Sequence, residues 1–162
     1  MELWDAYDKD FKKIPNVSLI RGEKIPVGVF HLVSEIIVRH TDGSYLLMQR
    51  DRHKQFGGMW EATAGGSALQ NESTLECAIR ELQEETGITS ENLVHIGRVR
   101  SHDTIYCEFL CITDCRKDSI TLQEGETVKN LLLNVTQNFC MLKIPNMVLK
   151  KVIKGYIMQA KL

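Results

Sequence analysis

The stretch that decides the fold runs from residue 66 to residue 88 and reads GSALQNESTLECAIRELQEETGI. It predicts one helix with both ends marked. Ser73 can cap the N-terminus, and Glu76, three residues later, completes a capping box. Gly87 supplies the left-handed residue that ends the helix. Apolar residues at helical spacing predict one buried stripe, formed by Leu75, Ala78, Ile79 and Leu82.

Three glutamates crowd the end of this helix. Glu81, Glu84 and Glu85 fall within an arc of about 100° beside the apolar stripe. They repel one another as helix neighbours, and the helix dipole disfavours negative charge at that end. A divalent cation would turn this repulsion into shared coordination by hard oxygen ligands. Arg80, four residues before Glu84, can orient or partly neutralise it. The helix by itself is equally consistent with a solvated acidic face.

The spacing back to Gly66 decides between these two interpretations. The segment follows the pattern Gly-x5-Glu-x7-Arg-Glu-apolar-x-Glu-Glu-x-Gly-apolar at every position, from Gly66 to Ile88. This is the complete signature of the Nudix hydrolases, and the chain is similar to that family. The resemblance extends outward to the strand-like residues 46–50 and to Trp60-Glu61-Ala62-Thr63-Ala64-Gly65, a common lead-in to the signature.

The resemblance implies an α/β fold, a Nudix α/β/α sandwich with a mixed β-sheet, in a single domain over residues 1–162. It also implies hydrolysis of nucleoside diphosphates linked to another moiety, with Mg2+ or Mn2+ as the cofactor. Carried onto matching positions, the metal ligands become Glu81, Glu84 and Glu85, with a backbone carbonyl of Gly66 or Gly65. Glu72 would support the site through a salt bridge or a metal-bound water, and Arg80 would fix a glutamate carboxylate.

The sequence does not identify which residue acts as the general base. In the family it is a helix glutamate or an acid from a distant loop, so Glu81 and Glu84 are candidates beside Glu124 and Glu126. Substrate contacts lie outside the signature. Arg50 and Arg52 can grip a phosphate, whereas Trp60 can stack on a base or sugar or serve as a scaffold residue beneath the loop.

Outside the signature, β-prone segments dominate. Residues 27–39 predict a long strand, and Asp42-Gly43 predicts a tight hairpin with positive φ angles at both residues. Residues 93–100 and 104–113 predict a strand pair, residues 128–135 another strand, and residues 2–7 an edge strand. Pro145 suits the first turn of a last helix that ends near residue 159. Strands that adjoin as hairpins indicate a mixed α/β sandwich.

The composition of the chain limits the classes of binding partner. A formal net charge of -1 argues against broad electrostatic binding to nucleic acid or to an anionic membrane. The family resemblance, and not the charge, implies a nucleotide-type small molecule as the substrate. Five cysteines without a Cys-x-x-Cys pair indicate reduced thiols in a cytoplasmic protein. Cys107 and Cys111 lie about 13 Å apart on one strand, too far for a single ion, and are expected to be small buried apolar groups. A homodimer, formed through the N-terminal strand, is an expectation by family analogy.

Two rival functions remain. Isopentenyl diphosphate isomerases share the fold, and Arg21-Gly22-Glu23 with His31 resembles their N-terminal region. Those enzymes use a cysteine in the strand before the signature, where residues 60–64 of this chain have none. The other rival is a nucleotide-binding module that has lost catalysis. Such modules usually lose signature acids, and this chain keeps them all.

Overall fold

The computed structural model of the chain describes residues 1–49, 60–121 and 131–133. A first hairpin joins β1 (Leu3–Tyr7) to β2 (Lys13–Ile20) in a sheet of their own. The other strands of these described segments form the main sheet: β3 (His31–His40), β4 (Tyr45–Gln49), β5 (Trp60–Glu61), β6 (Thr63–Ser67), β7 (Leu93–Ser101), β8 (Thr104–Thr113) and β9 (Leu131–Leu133). Helix α1 (Thr74–Thr86) follows β6, and a short 3-10 helix spans Lys117–Ser119.

The main sheet is mixed, as predicted. The central strand β3 pairs in parallel with β8 and antiparallel with β6, and β8 continues antiparallel to β7. On the other side, β4 connects β3 to β5 and β9. The α/β class is therefore confirmed. The last predicted helix, residues 145–159, lies outside the described residues, and within those residues no helix is long and apolar enough to cross a bilayer.

The core lies between α1 and one face of the sheet. Its central side chains come from alternate positions of β3 and β8, as the period of a strand requires; they are Leu32, Ile36, Val38, Ile105, Cys107, Phe109 and Cys111. The helix contributes Cys77, Ala78 and Leu82. Cys107 and Cys111 are fully buried, which confirms that they serve as small apolar groups.

The buried face of α1 differs from the predicted stripe. Leu75 is 40% exposed, whereas Cys77 and Thr86 are fully buried beside Ala78 and Leu82. Thr86 tolerates burial because its hydroxyl donates to the Leu82 carbonyl and accepts from the backbone N–H of Ile88. Apolar periodicity cannot identify such a small polar residue as part of the core.

Two other sequence predictions need correction. The long strand begins at His31 rather than residue 27, because Pro26 accepts from the N–H of Val29 in a turn that contains Gly28 at φ 83°. In the hairpin between β3 and β4, Gly43 has φ 91°, but Asp42 does not have the expected positive φ. The Asp42 carboxylate instead accepts from the backbone N–H and the hydroxyl of Ser44 and closes the turn.

Backbone hydrogen bonds join the N-terminal hairpin to the main body near both ends of β1. Tyr7 and Phe30 exchange backbone hydrogen bonds of 2.8 and 2.9 Å. At the other end, Gln70 donates its backbone N–H to the carbonyl of Leu3 at 2.8 Å. A small apolar cluster of Trp4, Ala6 and Leu19 forms the inner face of the hairpin. The hairpin therefore contacts the loop that precedes α1.

Candidate active site

Both ends of α1 are determined by residues at the helix termini. The Ser73 side chain accepts from the N–H of Glu76, the Glu76 carboxylate accepts from the N–H of Ser73, and Gly87 ends the helix at φ 70°. Ser34 on β3 also donates its hydroxyl to the carbonyl of Thr74 at 2.8 Å. The start of α1 is thus fixed against the central strand, which sets where its acidic residues lie.

Arg80 is the centre of the site. Its Nε and Nη2 donate to the two carboxylate oxygens of Glu72 at 2.8 and 2.9 Å, a bidentate pair. Its Nη1 donates to Glu81 at 2.7 Å and to Glu84 at 3.1 Å. Nη2 also donates to the Ser67 carbonyl at 3.1 Å. One guanidinium therefore gathers three of the predicted acids, and the hydrogen bonds to Glu72 hold the pKa of Arg80 above its usual range.

Glu81 is much more enclosed than Glu84, the next acid along the helix. Its side chain is 13% exposed, against 46% for Glu84. Burial raises the pKa of the Glu81 carboxyl above its ordinary value, and Arg80 opposes this rise. The carboxyl group lies directly over Gly66: a Cβ built on Gly66 would stand 2.6 Å from Glu81 Cδ. Glycine at this position leaves the space that the carboxylate occupies.

Glu85 is held by the residue before Gly66. Its Oε2 accepts from the backbone N–H of Gly65 at 2.9 Å, so this acid is held on β6. Gly65 itself lies so close to the carbonyl of Ser34 on β3 that a Cβ has no room there. The paired glycines before the signature therefore have separate uses: one permits close approach of two strands, and the other makes space for Glu81.

The donor set suits a magnesium or manganese ion in its chemistry. Glu81 and Glu84 share one Arg80 nitrogen, so both carboxylates are near each other, and carboxylate oxygens are the hard ligands that these ions prefer. Across the described residues, however, no group of three acidic, histidine or cysteine side chains is arranged to hold a metal ion. Here Arg80 contacts Glu81 and Glu84, and Glu85 contacts Gly65. A bound cation would replace part of these contacts.

Several predicted site residues lie outside the described residues. Arg50, Arg52, Glu124 and Glu126 are not among the described residues, and for Trp60 only the backbone, in β5, is described. The structure therefore brings together the signature residues alone: Gly66, Glu72, Arg80, Glu81 and Glu84, with Glu85 beside them on Gly65.

Three residues that the sequence did not indicate also reach this loop. Asp5, Lys13 and Asn71 form a hydrogen-bonded group between the N-terminal hairpin and the residue before Glu72. Asp5 and Asn71 are 66 positions apart in the chain. No local pattern links such distant residues, so only the folded arrangement reveals the contact.

Known proteins share this fold and this site region. The NUDIX domain model of protein families matches residues 29–138. The Nudix hydrolase lmo0368 of Listeria monocytogenes is 29% identical over 133 residues, which cover 78% of this chain and 76% of the relative.

Solved structures agree on the fold. DR0079 of Deinococcus radiodurans has a TM-score of 0.66 at 14% identity, with 96% of this chain and 99% of that chain covered. The NUDIX domain of NrtR from Shewanella oneidensis, solved in complex with ADP ribose, has a TM-score of 0.54 at 19% identity and covers 77% of this chain and 86% of that one. Because the family model spans about two thirds of the residues, including the whole signature, this chain belongs to the Nudix family of hydrolases.

Proposed function

We propose that this protein hydrolyses the phosphoanhydride bond of a nucleoside diphosphate derivative, with Mg2+ or Mn2+ held by Glu81, Glu84 and Glu85. The observation that carries the proposal is the Arg80 network, in which one guanidinium contacts Glu72, Glu81 and Glu84 within 3.1 Å. A purely solvated acidic face would not require an arginine that donates to five oxygen atoms on four residues. The carbonyl of Gly66, which accepts a weak hydrogen bond from the thiol of Cys77 at 3.5 Å, is a further ligand in this proposal.

Each residue has a distinct task. A bound divalent cation would neutralise the phosphate oxygens and acidify a water molecule. Arg80 orients Glu81 and Glu84 from their own helix, while Glu72 fixes the plane of the guanidinium through its two hydrogen bonds. Glu81 is one helix candidate for removal of the water proton, and burial raises the pKa of its carboxyl group. Glu84 is the second helix candidate for that role, and Glu124 and Glu126 are the loop candidates.

The isomerase alternative is disfavoured by the chemistry of β5 and β6. The residues from Trp60 to Ala64 contain no cysteine that could donate or accept the proton. Cys77 is close to the site, but burial raises the pKa of its thiol to about 12, so it stays protonated at neutral pH. A binding module without catalysis is the remaining alternative, and a turnover experiment separates it from an enzyme.

The experiment is a substrate panel with Mg2+ and Mn2+: ADP-ribose, because the NrtR domain was solved with it, then canonical and oxidised nucleoside triphosphates and nucleotide sugars. Products are detected by phosphate release after phosphatase coupling. We expect turnover of at least one compound, and a loss of about 100-fold or more in kcat for Glu84→Gln, since metal-bound charge stabilisation contributes several kcal/mol.

The matched control is Glu76→Gln on the same helix. It makes the same charge change, but glutamine can still complete the capping box, so activity should stay near that of the parent. Bound nucleotide that is returned unchanged would favour the binding module. Equal activity of Glu84→Gln and the parent would refute the assigned metal site.

A further inference from the structure

The loop between β6 and α1 is held from outside by the N-terminal hairpin. Gln70 donates its backbone N–H to the Leu3 carbonyl at 2.8 Å, and its side-chain amide donates to the hydroxyl of Ser18 at 2.5 Å. Both strands of the hairpin therefore contact one loop residue. The hairpin is also held to the main sheet by the Tyr7–Phe30 backbone pair, by the stacking of Trp4 on His31 and by Arg100, which donates to the Lys9 carbonyl.

A buried carboxylate lies at the centre of this contact. Asp5 on β1 is 5% exposed, and its Oδ2 accepts from the backbone N–H of Asn71 at 2.9 Å. Lys13 on β2 reaches the same oxygen at 2.6 Å and donates to the Asn71 side-chain oxygen at 3.0 Å. A charged acceptor makes this backbone hydrogen bond stronger than a neutral one would be. Lys13 also neutralises a charge that would be costly to bury alone.

Asn71 makes the turn that these contacts hold. Its φ is 66°, in the left-handed region, which asparagine adopts more readily than other non-glycine residues. The next residue is Glu72, whose Oε2 accepts from the N–H of Leu69 and whose two oxygens bind Arg80. The turn at Asn71 therefore determines the direction in which Glu72 leaves the loop.

From these contacts we infer that Asp5 is a positioning residue for the metal site. It fixes the turn at Asn71, the turn places Glu72, Glu72 orients Arg80, and Arg80 orients Glu81 and Glu84. The N-terminal hairpin is then part of the active-site support and not only a cover for the apolar cluster. The inference rests on the proposed function, because it concerns the geometry of the carboxylates that would bind the cation.

The test compares three single variants of the full chain: Asp5→Ala, Asp5→Asn and Asp8→Ala. Asp5→Ala removes the acceptor, whereas Asp5→Asn keeps an oxygen for the N–H of Asn71. Asp8→Ala is the matched control, since the Asp8 carboxylate accepts from the N–H groups of Asp10 and Lys12 in the turn of the same hairpin, away from the 68–73 loop. For each variant, Mn2+ affinity is measured by electron paramagnetic resonance, and amide hydrogen exchange is measured at Leu69.

We expect Asp5→Ala to weaken Mn2+ binding by about three- to tenfold, less than the 10- to 100-fold typical of a direct partner of a metal ligand. Exchange at Leu69 should accelerate, because its N–H is held by the Glu72 carboxylate. Asp5→Asn should recover most of both effects, and Asp8→Ala should show neither. In steady-state assays the loss for Asp5→Ala should fall on kcat and on the Mn2+ requirement, with KM for the nucleotide little changed.

The outcomes separate the two proposals. If the parent binds Mn2+ and Asp5→Ala matches Asp8→Ala in both readouts, the positioning role is wrong while the proposed function stands. If the parent binds no Mn2+ and hydrolyses nothing, the proposed function is wrong. In that case, unchanged amide exchange at Leu69 in Asp5→Ala would also show that Asp5 does not fix the turn at Asn71. Should Asp5→Ala fail to fold, Lys13→Met replaces it, because that side chain is 45% exposed and its loss still weakens the hold on Asn71.

Discussion

Replacing Gly66 by alanine should damage the active site and leave the fold intact. Gly66 lies in β6 with no positive φ, so alanine can adopt its backbone conformation. Substitution of glycine at such a position normally stabilises a protein by about 0.4–1 kcal/mol, because the unfolded chain loses freedom. The nearest atoms to the new Cβ belong only to the flexible end of the Glu81 side chain.

The size of the expected loss of activity follows from the contact between the new Cβ and the Glu81 carboxyl. The added Cβ would lie 2.6 Å from Glu81 Cδ and closer still to Oε1, whereas ordinary contact begins at 3.4 Å, so the carboxyl must move by at least about 0.8 Å. A misplacement of about 1 Å in catalytic machinery can cost roughly 100-fold in rate. We therefore expect kcat of Gly66→Ala to fall by about 30- to 100-fold and Mn2+ affinity to fall with it. The melting temperature should change by no more than about 3 °C.

The same chain offers a matched control. Gly97 in β7 also lies against a glutamate, because a Cβ there would stand 2.5 Å from Glu108 Oε2. Gly97→Ala therefore displaces one carboxylate oxygen, since Glu108 Cδ is at an ordinary 3.6 Å, and the new Cβ does not contact the signature helix. The assay measures kcat, Mn2+ affinity and melting temperature for both variants. Equal activity of Gly66→Ala and the parent, or an equal loss in both alanine variants, would refute the link between Gly66 and Glu81.

Two further outcomes follow from the pKa values of the described residues. Hydrogen bonds from Lys117 and Ser44 hold the pKa of the Asp42 carboxyl far below its usual 3.8. The ionised carboxylate therefore stabilises the fold fully above pH 3.8, and this stabilisation is lost as the pH falls further. The difference in melting temperature between the parent and Asp42→Asn should be full at pH 6 and shrink below about pH 4. Cys140 lies outside the described residues and is replaced by serine for a thiol-labelling test. Because burial raises the pKa of Cys77 to about 12, a thiol reagent at pH 8 should label the native Cys140→Ser protein quickly at the partly exposed Cys115 and not at Cys77. Rapid labelling of Cys77, or a melting difference that does not change with pH, would contradict these assignments.

The parts of the fold that the sequence predicts correctly are those that local chemistry determines. The capping box at Ser73 and the stop at Gly87 involve residues within one or two turns of each other. The strand pair of β7 and β8 follows from two β-prone segments joined by a short turn, Ser101 to Thr104. The parallel pairing of β3 with β8 has no comparable local signal, and the mixed sheet was expected from the overall pattern and the family resemblance.

The parts that were not predicted depend on distant contacts. Strand β2 contains Pro15 and a left-handed Asn16, and most of its side chains are exposed, so neither propensity nor alternation marks it as a strand. It forms because β1 pairs with it. The same holds for Asp5, whose acidic side chain would be read as surface charge until its contact with Asn71 is seen. The signature acids that are proposed to bind the cation are therefore visible in the sequence, whereas the contacts between distant residues at this site are visible only in the fold.

The most direct test of the account is a Mn2+ titration by electron paramagnetic resonance of the parent, Glu84→Gln and Glu76→Gln. If the signature acids form the metal site, the parent and Glu76→Gln bind Mn2+ alike, and Glu84→Gln binds it at least about 10-fold more weakly with an unchanged melting temperature. Equal binding by all three proteins would contradict the central claim that the end of α1 holds the catalytic cation.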